Sequence, residues 1–284
     1  MRIVSLCVVL LGFGIIAAAP PPPSAADLVA RNLAARGGAA QLASLKGVRF
    51  EGRMVFPGDF QLTYRETRAR TGVGGALRID AALQGLTLVQ AYDGSSAWRI
   101  NPFEGRKDAE RMSLDEARAL ADQALLEGPL LSSRRDGSTV TYLGREDFDG
   151  TLAYKLRVAQ KDGDDFVYLL DPDTFLEIKE IETRRVRGTQ QVTEYELGDY
   201  EKVGGVYFPM SIDSWPQGQP NQRQQVIIAT ASADPAVTPT LFAQPAGPGG
   251  RDTATGKEDL PPGGKSPATD AANPSATASK PKGR

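Results

Sequence analysis

The sequence predicts a mainly β protein with a few helices, built around one long antiparallel sheet that curls. Two observations lead to this fold class. Apolar and polar residues alternate with a period of two along most of the chain, and tight-turn pairs such as Asp93-Gly94, Asp149-Gly150 and Asp171-Pro172 separate the alternating segments. Only short stretches have the spacing of apolar residues that is typical of helices.

The first 26 residues have the pattern of a secretory signal peptide followed by a proline-rich junction. Arg2 precedes an apolar run over residues 3–19, and Pro20–Pro23 with small residues follow. Cleavage within Ala17–Ala19 or at Ala26 fits the pattern, and a retained membrane anchor is the alternative, since the run is nearly long enough to span a bilayer. The only cysteine, Cys7, lies in this segment. We therefore expect a periplasmic protein without thiols, which excludes a disulfide framework.

Residues 244–284 are predicted to form a disordered tail, because they are rich in Gly, Pro, Ala, Ser, Thr and Lys and can bury little apolar surface. A folded domain is therefore expected over residues 27–243. The whole chain has a formal net charge of −2, and no basic block occurs along it. Nucleic acid is accordingly disfavoured as a partner, since phosphate binding requires concentrated Lys and Arg.

Two regions of the domain have helical features. Ser24 and Asp27 resemble a capping box ahead of an apolar helix face, and Gly37-Gly38 ends that helix before a short turn over residues 39–45. The second region starts with the capping box of Ser113 and Glu116. Apolar residues then keep helical spacing up to Leu125, and Gly128-Pro129 is expected to end the helix.

The remaining segments predict strands. They begin with alternating residues near 48–56, 62–65 and 77–79 and continue at 86–92, 95–100, 138–147, 151–160, 164–170, 174–187, 190–201, 205–214 and 222–230. About eleven or twelve strands exceed what a flat open sheet holds comfortably. We therefore expect the sheet to curl, with the internal helix covering its concave, apolar face.

Residues that commonly carry catalysis are depleted. The chain contains no histidine, which excludes histidine bases, histidine metal ligands and a Ser-His-Asp triad. The acidic run of residues 162–165 fits a hairpin turn better than a calcium loop. Arg184, Arg185 and Arg187 are interpreted as the outward face and end of a strand. The sequence therefore predicts neither an enzyme, nor a metal site, nor a cofactor.

Three segments together resemble the outer-membrane lipoprotein-sorting (LolA/LolB-like) family of periplasmic carriers. The first runs from Asn32 through Arg36-Gly37-Gly38 to Gly52, and the second is Ala91–Trp98 followed by Asn101-Pro102-Phe103. The third comprises Tyr168–Leu176, Asp199-Tyr200 and Gly205–Pro209. The resemblance covers about residues 27–230 and implies an incomplete, or half, β-barrel whose mouth is capped by helices.

The resemblance also implies a function. A LolA-like carrier shields lipid or lipoprotein acyl chains in an apolar cavity while they cross the periplasm, with inner- or outer-membrane envelope proteins as further candidate partners. Thirteen apolar residues could line such a cavity as wall or lid: Phe50, Met54, Phe56, Leu62, Tyr64, Leu77, Ile79, Leu88, Trp98, Ile100, Leu114, Leu120 and Leu125. Ordinary sheet core is the alternative for each of them.

Two other classes of function stay open. The same fold could serve as a periplasmic interaction or sensor module that transfers no lipid. A hydrolase that uses carboxylates alone would need two carboxyl groups that converge in the cavity.

Overall fold

The computed structural model describes residues 22–58, 60–72 and 74–246. The predicted signal peptide up to residue 21, with Cys7, and the predicted tail from residue 247 onward lie outside the described residues. The described part contains four α-helices and fifteen β-strands, so the prediction of a mainly β fold with a few helices is confirmed.

The α-helices are α1 (Ala25–Ala35), α2 (Gly38–Ser44), α3 (Leu114–Gln123) and α4 (Gly128–Asp136). The strands are β1 (Gly47–Phe56), β2 (Phe60–Thr71), β3 (Gly74–Leu83), β4 (Leu86–Tyr92), β5 (Ala97–Asn101), β6 (Arg106–Arg111), β7 (Thr139–Phe148), β8 (Thr151–Ala159), β9 (Asp165–Leu170), β10 (Glu177–Val186), β11 (Thr189–Gly198), β12 (Glu201–Val203), β13 (Val206–Phe208), β14 (Ser211–Pro216) and β15 (Gln224–Ala233).

Thirteen strands form one antiparallel sheet in the order β6-β5-β4-β3-β2-β1-β15-β14-β11-β10-β9-β8-β7. The remaining two, β12 and β13, form a separate hairpin. β15 inserts between β1 and β14, so the last strand of the chain joins the two halves of the sheet. β6 and β7 are the outer strands of this order, and the sheet therefore stays open rather than closing into a barrel.

The sheet curls around α3. This helix contacts β3, β4 and β5 in one half of the sheet and β10 in the other. Five strands lie between β3 and β10 in the sheet order. At about 4.8 Å between neighbouring strands, a flat sheet would hold β3 and β10 nearly 30 Å apart, too far for one helix to touch both. The expected curled sheet with helices on its concave face is thus confirmed.

Both predicted capping boxes are present. The Ser24 side chain accepts a hydrogen bond from the Asp27 amide, and the Ser113 side chain accepts one from the Glu116 amide. Each acidic side chain in turn accepts a hydrogen bond from the serine backbone N–H, which satisfies two N–H groups that the first helical turn leaves without partners. α1 then buries Leu28 and Val29 against α4 and the β8–β9 part of the sheet.

The prediction that Gly128-Pro129 ends a helix is wrong. α3 ends at Gln123, and Gly128-Pro129 opens the separate helix α4. Proline suits the first turn of a helix because its missing N–H would have no intrahelical partner there. α4 is mostly polar, so its sequence lacks the apolar spacing that would predict a helix, although Leu130 is almost fully buried.

The strand expected over residues 205–214 is two strands. β13 ends at Phe208 and pairs with β12, whereas β14 starts at Ser211 and joins the main sheet. The hairpin packs against the junction of α1 and α2. Gly37 lies there with a φ of 123°, and a Cβ at this position would lie 2.3 Å from the carbonyl oxygen of Gly205. Glycine is therefore required at the elbow between the two helices.

Within residues 22–58, 60–72 and 74–246, no helix is both long enough and apolar enough to cross a bilayer.

Candidate functional site

A cavity of about 260 Å³ lies between the concave face of the sheet and the segment that joins α3 to α4. Strands from both halves of the sheet contribute to its walls, from β1 and β2 to β9, β10 and β11. The segment of residues 122–130 forms its roof. The residues that border it are Arg36, Phe50, Tyr64, Glu66, Arg68, Ala119, Asp122, Gln123, Leu125, Leu126, Glu127, Gly128, Pro129, Leu130, Phe166, Tyr168, Glu177, Glu180, Glu182, Arg184, Tyr195, Leu197, Tyr200, Phe208, Pro209, Ile212 and Ile228.

Three of the thirteen residues predicted from the sequence border this cavity, namely Phe50, Tyr64 and Leu125. Four others pack in the same apolar core as Phe50 and Tyr64 without bordering the cavity. These four are Met54, Leu77, Ile79 and Leu120. Leu62 is opposite Met54 and Leu88 is opposite Ala81 in the strand ladders, and Phe56 lies near the end of β1 in contact with Phe60.

Trp98 and Ile100 lie on the other face of the sheet. Trp98 packs with Val89 and Ala91, whereas its neighbours Ala97 and Arg99 alternate to the concave side. The Trp98 indole N–H donates a 2.8 Å hydrogen bond to the Phe242 carbonyl, because the segment after β15 crosses this face. The structure thus separates Trp98 from the cavity. Leu114, at the start of α3, is exposed over 83% of its surface.

The cavity is far more charged than the expected apolar wall. Six carboxylates border it, from Glu66, Asp122, Glu127, Glu177, Glu180 and Glu182. Three arginines border it as well, from Arg36, Arg68 and Arg184. Isolated charges are costly to bury, so each of them needs a partner or a shifted pKa.

Arg184 is at the centre of the largest group of charges. Its guanidinium lies 2.8 Å from Asp122 and also pairs with Asp164 and Glu182. The residue is 6% exposed, so the interpretation of Arg184 as an outward-facing residue is wrong. The acidic turn is also more than a turn, since Asp164 is almost fully buried against this arginine.

Arg36 holds the other end of the cavity together. Its Nε donates to the Tyr207 carbonyl at 2.8 Å, and its terminal nitrogens reach the Leu126 carbonyl and the Glu177 carboxylate at 3.3 Å. One side chain thereby connects α1 with the β12–β13 hairpin, the roof and β10. The sequence motif around Gly37-Gly38 contains this residue, but nothing in the motif indicates that Arg36 points into a cavity.

The remaining charged groups are also paired. Glu66 accepts hydrogen bonds from Tyr64, Arg68 and, at 3.0 Å, Gln123. Glu127 lies 3.0 Å from Arg70 and 2.6 Å from Arg135. These contacts attach the roof to the start of the sheet.

Glu180 is the exception. Among the described residues, no hydrogen bond or ion pair reaches its carboxyl group, although it lies on the concave face of β10. Burial, and next the negative charge of Glu177, raise the pKa of Glu180 to about 7. This carboxyl group therefore changes its charge near neutral pH.

Four tyrosines border the cavity, and three of their hydroxyls have partners. Tyr64 donates to Glu66, Tyr195 to Glu182 at 3.2 Å, and Tyr200 to the Glu177 carbonyl at 2.8 Å. The Tyr168 hydroxyl has none in the described part of the chain, and the residue is only 2% exposed. A buried polar group without a partner costs about 1–3 kcal/mol.

No cluster of acidic residues in the described ranges is arranged to hold a metal ion.

Comparisons with known proteins give a likeness of fold. No protein-family model matches the chain, and no curated protein matches it. A DUF1329 family protein from Desulfovibrio piger matches with a TM-score of 0.55 and 14% identity, over 77% of this chain and 95% of that one.

Two further solved structures give the same result. A Vibrio parahaemolyticus domain named for outer-membrane lipoprotein sorting has a TM-score of 0.54 and 12% identity, over 77% of this chain and 95% of that one. A LolA superfamily protein from Nitrosomonas europaea has a TM-score of 0.52 and 13% identity, over 78% and 98%. Together with the open, helix-covered sheet, these matches show that the chain has a LolA-like fold.

Proposed function

We propose that this protein is a periplasmic carrier that shields part of a lipid or lipoprotein acyl chain between its curled sheet and the α3–α4 roof. The observation that carries the proposal is the cavity itself, which lies on the concave face of a LolA-like sheet. Apolar side chains from both sides contribute to its walls, including Phe50, Phe208 and Ile228 from the sheet side and Leu125 and Leu130 from the roof.

The volume limits what fits. At roughly 30 Å³ for a group the size of a water molecule, 260 Å³ holds about nine non-hydrogen atoms. A sixteen-carbon chain is longer than this, so the cavity shields only part of one, and enclosing a whole chain would require the roof to move. Burying each CH₂ contributes about 0.8 kcal/mol, which gives a chain of that length about 13 kcal/mol to drive the movement.

A carboxylate hydrolase is a weaker explanation of the same cavity. Glu177 and Glu180 both border it, so two carboxyl groups do converge. Glu177 is held by Arg36 and lies beside the Tyr200 hydroxyl, however, and only Glu180 lacks a partner among the described residues. Acid–base hydrolysis needs a second carboxyl group that can reach the substrate.

Native mass spectrometry of protein purified from the periplasm without detergent tests the proposal. We expect a discrete added mass, which organic extraction then identifies as a phospholipid or an acylated peptide. A mass without ligand that persists after mixing with envelope lipids would contradict the carrier function and favour the interaction module.

Two leucine variants make the test specific for the cavity. Leu125→Gln places an amide in the cavity wall and should reduce the bound fraction several-fold, since the variant makes burial of a chain less favourable. Leu114→Gln is the matched control, because Leu114 belongs to the same helical region but is exposed. Equal loss in both variants would show that the ligand does not occupy this cavity.

A further inference from the structure

Most tyrosines of the cavity form a hydrogen bond with a glutamate, but one tyrosine and one glutamate do not. Three tyrosines each have a glutamate as hydrogen-bond partner, in the pairs Tyr64–Glu66, Tyr195–Glu182 and Tyr200–Glu177. The hydroxyl of the fourth tyrosine, Tyr168, has no hydrogen-bond partner in the described ranges of the chain. No hydrogen bond among these residues reaches the carboxyl group of the fourth glutamate of this set, Glu180.

These two residues are neighbours on adjacent strands. Tyr168 on β9 is directly opposite Glu180 on β10 in the antiparallel ladder, and both side chains border the cavity. Directly opposite residues have Cβ atoms about 4.5–5.5 Å apart. Tyr168 is nine-tenths buried or more and forms no hydrogen bond with its neighbour, so the pair presents an acceptor and a hydroxyl to whatever occupies the cavity.

The charges around Glu180 leave it without a cation of its own. Every arginine that borders the cavity is already paired with another carboxylate: Arg36 with Glu177, Arg68 with Glu66, and Arg184 with Asp122, Asp164 and Glu182. The titratable groups that border the cavity together with Glu180 include Glu66 and Arg68 on β2, Tyr168 on β9, Glu177, Glu182 and Arg184 on β10, Tyr195 on β11, Asp122 on α3 and Arg36 after α1. Among them, the charges of Glu177, Arg184, Asp122 and Arg68 act on the Glu180 carboxyl group. An added positive charge would complete this arrangement, whereas an added negative charge would meet a surplus of carboxylates.

We propose that the cavity selects amphiphiles whose head group is a protonated primary amine, with Glu180 as the counter-ion and the Tyr168 hydroxyl as a hydrogen-bond partner. This inference rests on the proposed carrier function and names the class of head group that the carrier accepts. The apolar wall of Phe50, Leu125 and Ile228 takes the alkyl part of the same molecule.

A primary ammonium fits the two groups better than other heads. It carries three hydrogen-bond donors on a compact charge, so it can bind a carboxylate and a phenol oxygen together. A carboxylate or phosphate head would be repelled by Glu177, Glu180 and Glu182. A neutral hydroxyl could bond with Tyr168 but would leave the charge of Glu180 without a counter-ion.

The inference predicts a pH dependence. Because burial and Glu177 raise the pKa of Glu180 to about 7, the carboxyl group is ionised at pH 8 and protonated at pH 5. Alkyl amines ionise like lysine, near pH 10, and stay protonated over this range. Affinity for the amine should therefore fall about 100-fold between pH 8 and pH 5, while affinity for a neutral alcohol should not change.

Isothermal titration calorimetry with three eight-carbon probes tests the inference: octylamine, octan-1-ol and octanoate. Octylamine has nine non-hydrogen atoms, which matches the volume of the cavity. At pH 8 we expect octylamine to bind at least tenfold more tightly than the alcohol, and octanoate to bind most weakly. Glu180→Gln should abolish the preference for the amine without changing affinity for the alcohol, and Tyr168→Phe should weaken amine binding a few-fold.

Glu201→Gln serves as the control, since Glu201 is exposed on β12 and should leave all three affinities unchanged. Equal binding of the three probes, or an amine preference that survives in Glu180→Gln, would refute the amine site and leave the carrier proposal standing. Absence of binding by all three probes would refute both. Circular dichroism of each variant shows whether a lost affinity comes from a lost fold.

Discussion

Replacing Glu180 by glutamine should change how the stability of this protein depends on pH. The glutamine amide has the shape of the protonated carboxyl group and cannot ionise. In the wild type, the pKa of Glu180 is about 7 in the folded state, because of burial and Glu177, against an ordinary value of 4.5. The folded protein therefore binds this proton more tightly than the unfolded chain does, and the resulting stabilisation is present below pH 4.5 and lost as pH rises through 7.

The size of the effect follows from the two pKa values. At about 1.4 kcal/mol for each pKa unit, full ionisation of Glu180 costs the folded state about 3 kcal/mol. Roughly 2 kcal/mol of this loss falls between pH 5 and pH 7, where the unfolded chain is already ionised and the folded protein is not yet. Glu180→Gln avoids the loss, so its advantage over the wild type should grow by about 2 kcal/mol over this interval.

Urea unfolding at pH 5, 6, 7 and 8 measures the difference directly, with the slope against urea held common to both proteins. Glu201→Gln provides the matched control, because the exposed Glu201 should give a difference that is flat with pH. A flat difference for Glu180→Gln, or one that shrinks as pH rises, would refute the assignment of Glu180 as a half-buried carboxyl group without a partner among the described residues.

Three substitutions, with Gly38→Ala as a control, test contacts that hold the fold together by urea or thermal unfolding. Gly37→Ala should cost about 2–3 kcal/mol because of its φ of 123° and the approach to the Gly205 carbonyl. Gly38 also has a positive φ, 85°, but open space around it, so Gly38→Ala should cost less and isolates the effect of the close approach. Trp98→Phe should cost about 2–3 kcal/mol through the lost hydrogen bond and lost packing. Unchanged stability would show that the contact between Trp98 and the segment after β15 does not stabilise the fold. Arg36→Lys should lower Tm by roughly 2–4 °C for each kcal/mol of stability lost, since an ammonium cannot reach all three partners. An unchanged Tm would refute this role.

The fold class could be predicted from the sequence because its determinants are local. The capping boxes at Ser24 and Ser113 and the turn pairs separate helices and strands by chemistry that acts over a few residues. Where local signals conflict, the prediction fails. Pro129 is compatible with both the end of one helix and the start of the next, and only the burial of Leu130 decides between them.

The lining of the cavity could not be predicted, because it depends on which face each strand presents. Glu177 and Glu180 are three residues apart on one strand, and strict alternation would place them on opposite faces. A register shift between Glu177 and Lys179 brings both to the cavity. Trp98 is an example of the opposite outcome. It is directly opposite Ala91 in the β4–β5 ladder and therefore shares the outer face with Ala91 and Val89.

Under the proposed carrier function, the open order of the strands bears on how the cavity would adapt to ligands of different size. In a closed barrel, strand number and stagger set the diameter, and widening it would break ladder hydrogen bonds. Here β6 and β7 are the two ends of the order, so the sheet can flatten or tighten its curvature while every ladder stays intact. The capacity of the cavity then depends on the side-chain contacts of the roof. No closed ring of backbone hydrogen bonds limits it. If the carrier proposal is right, one open sheet would then hold a short chain when tightly curved and a longer chain when flatter.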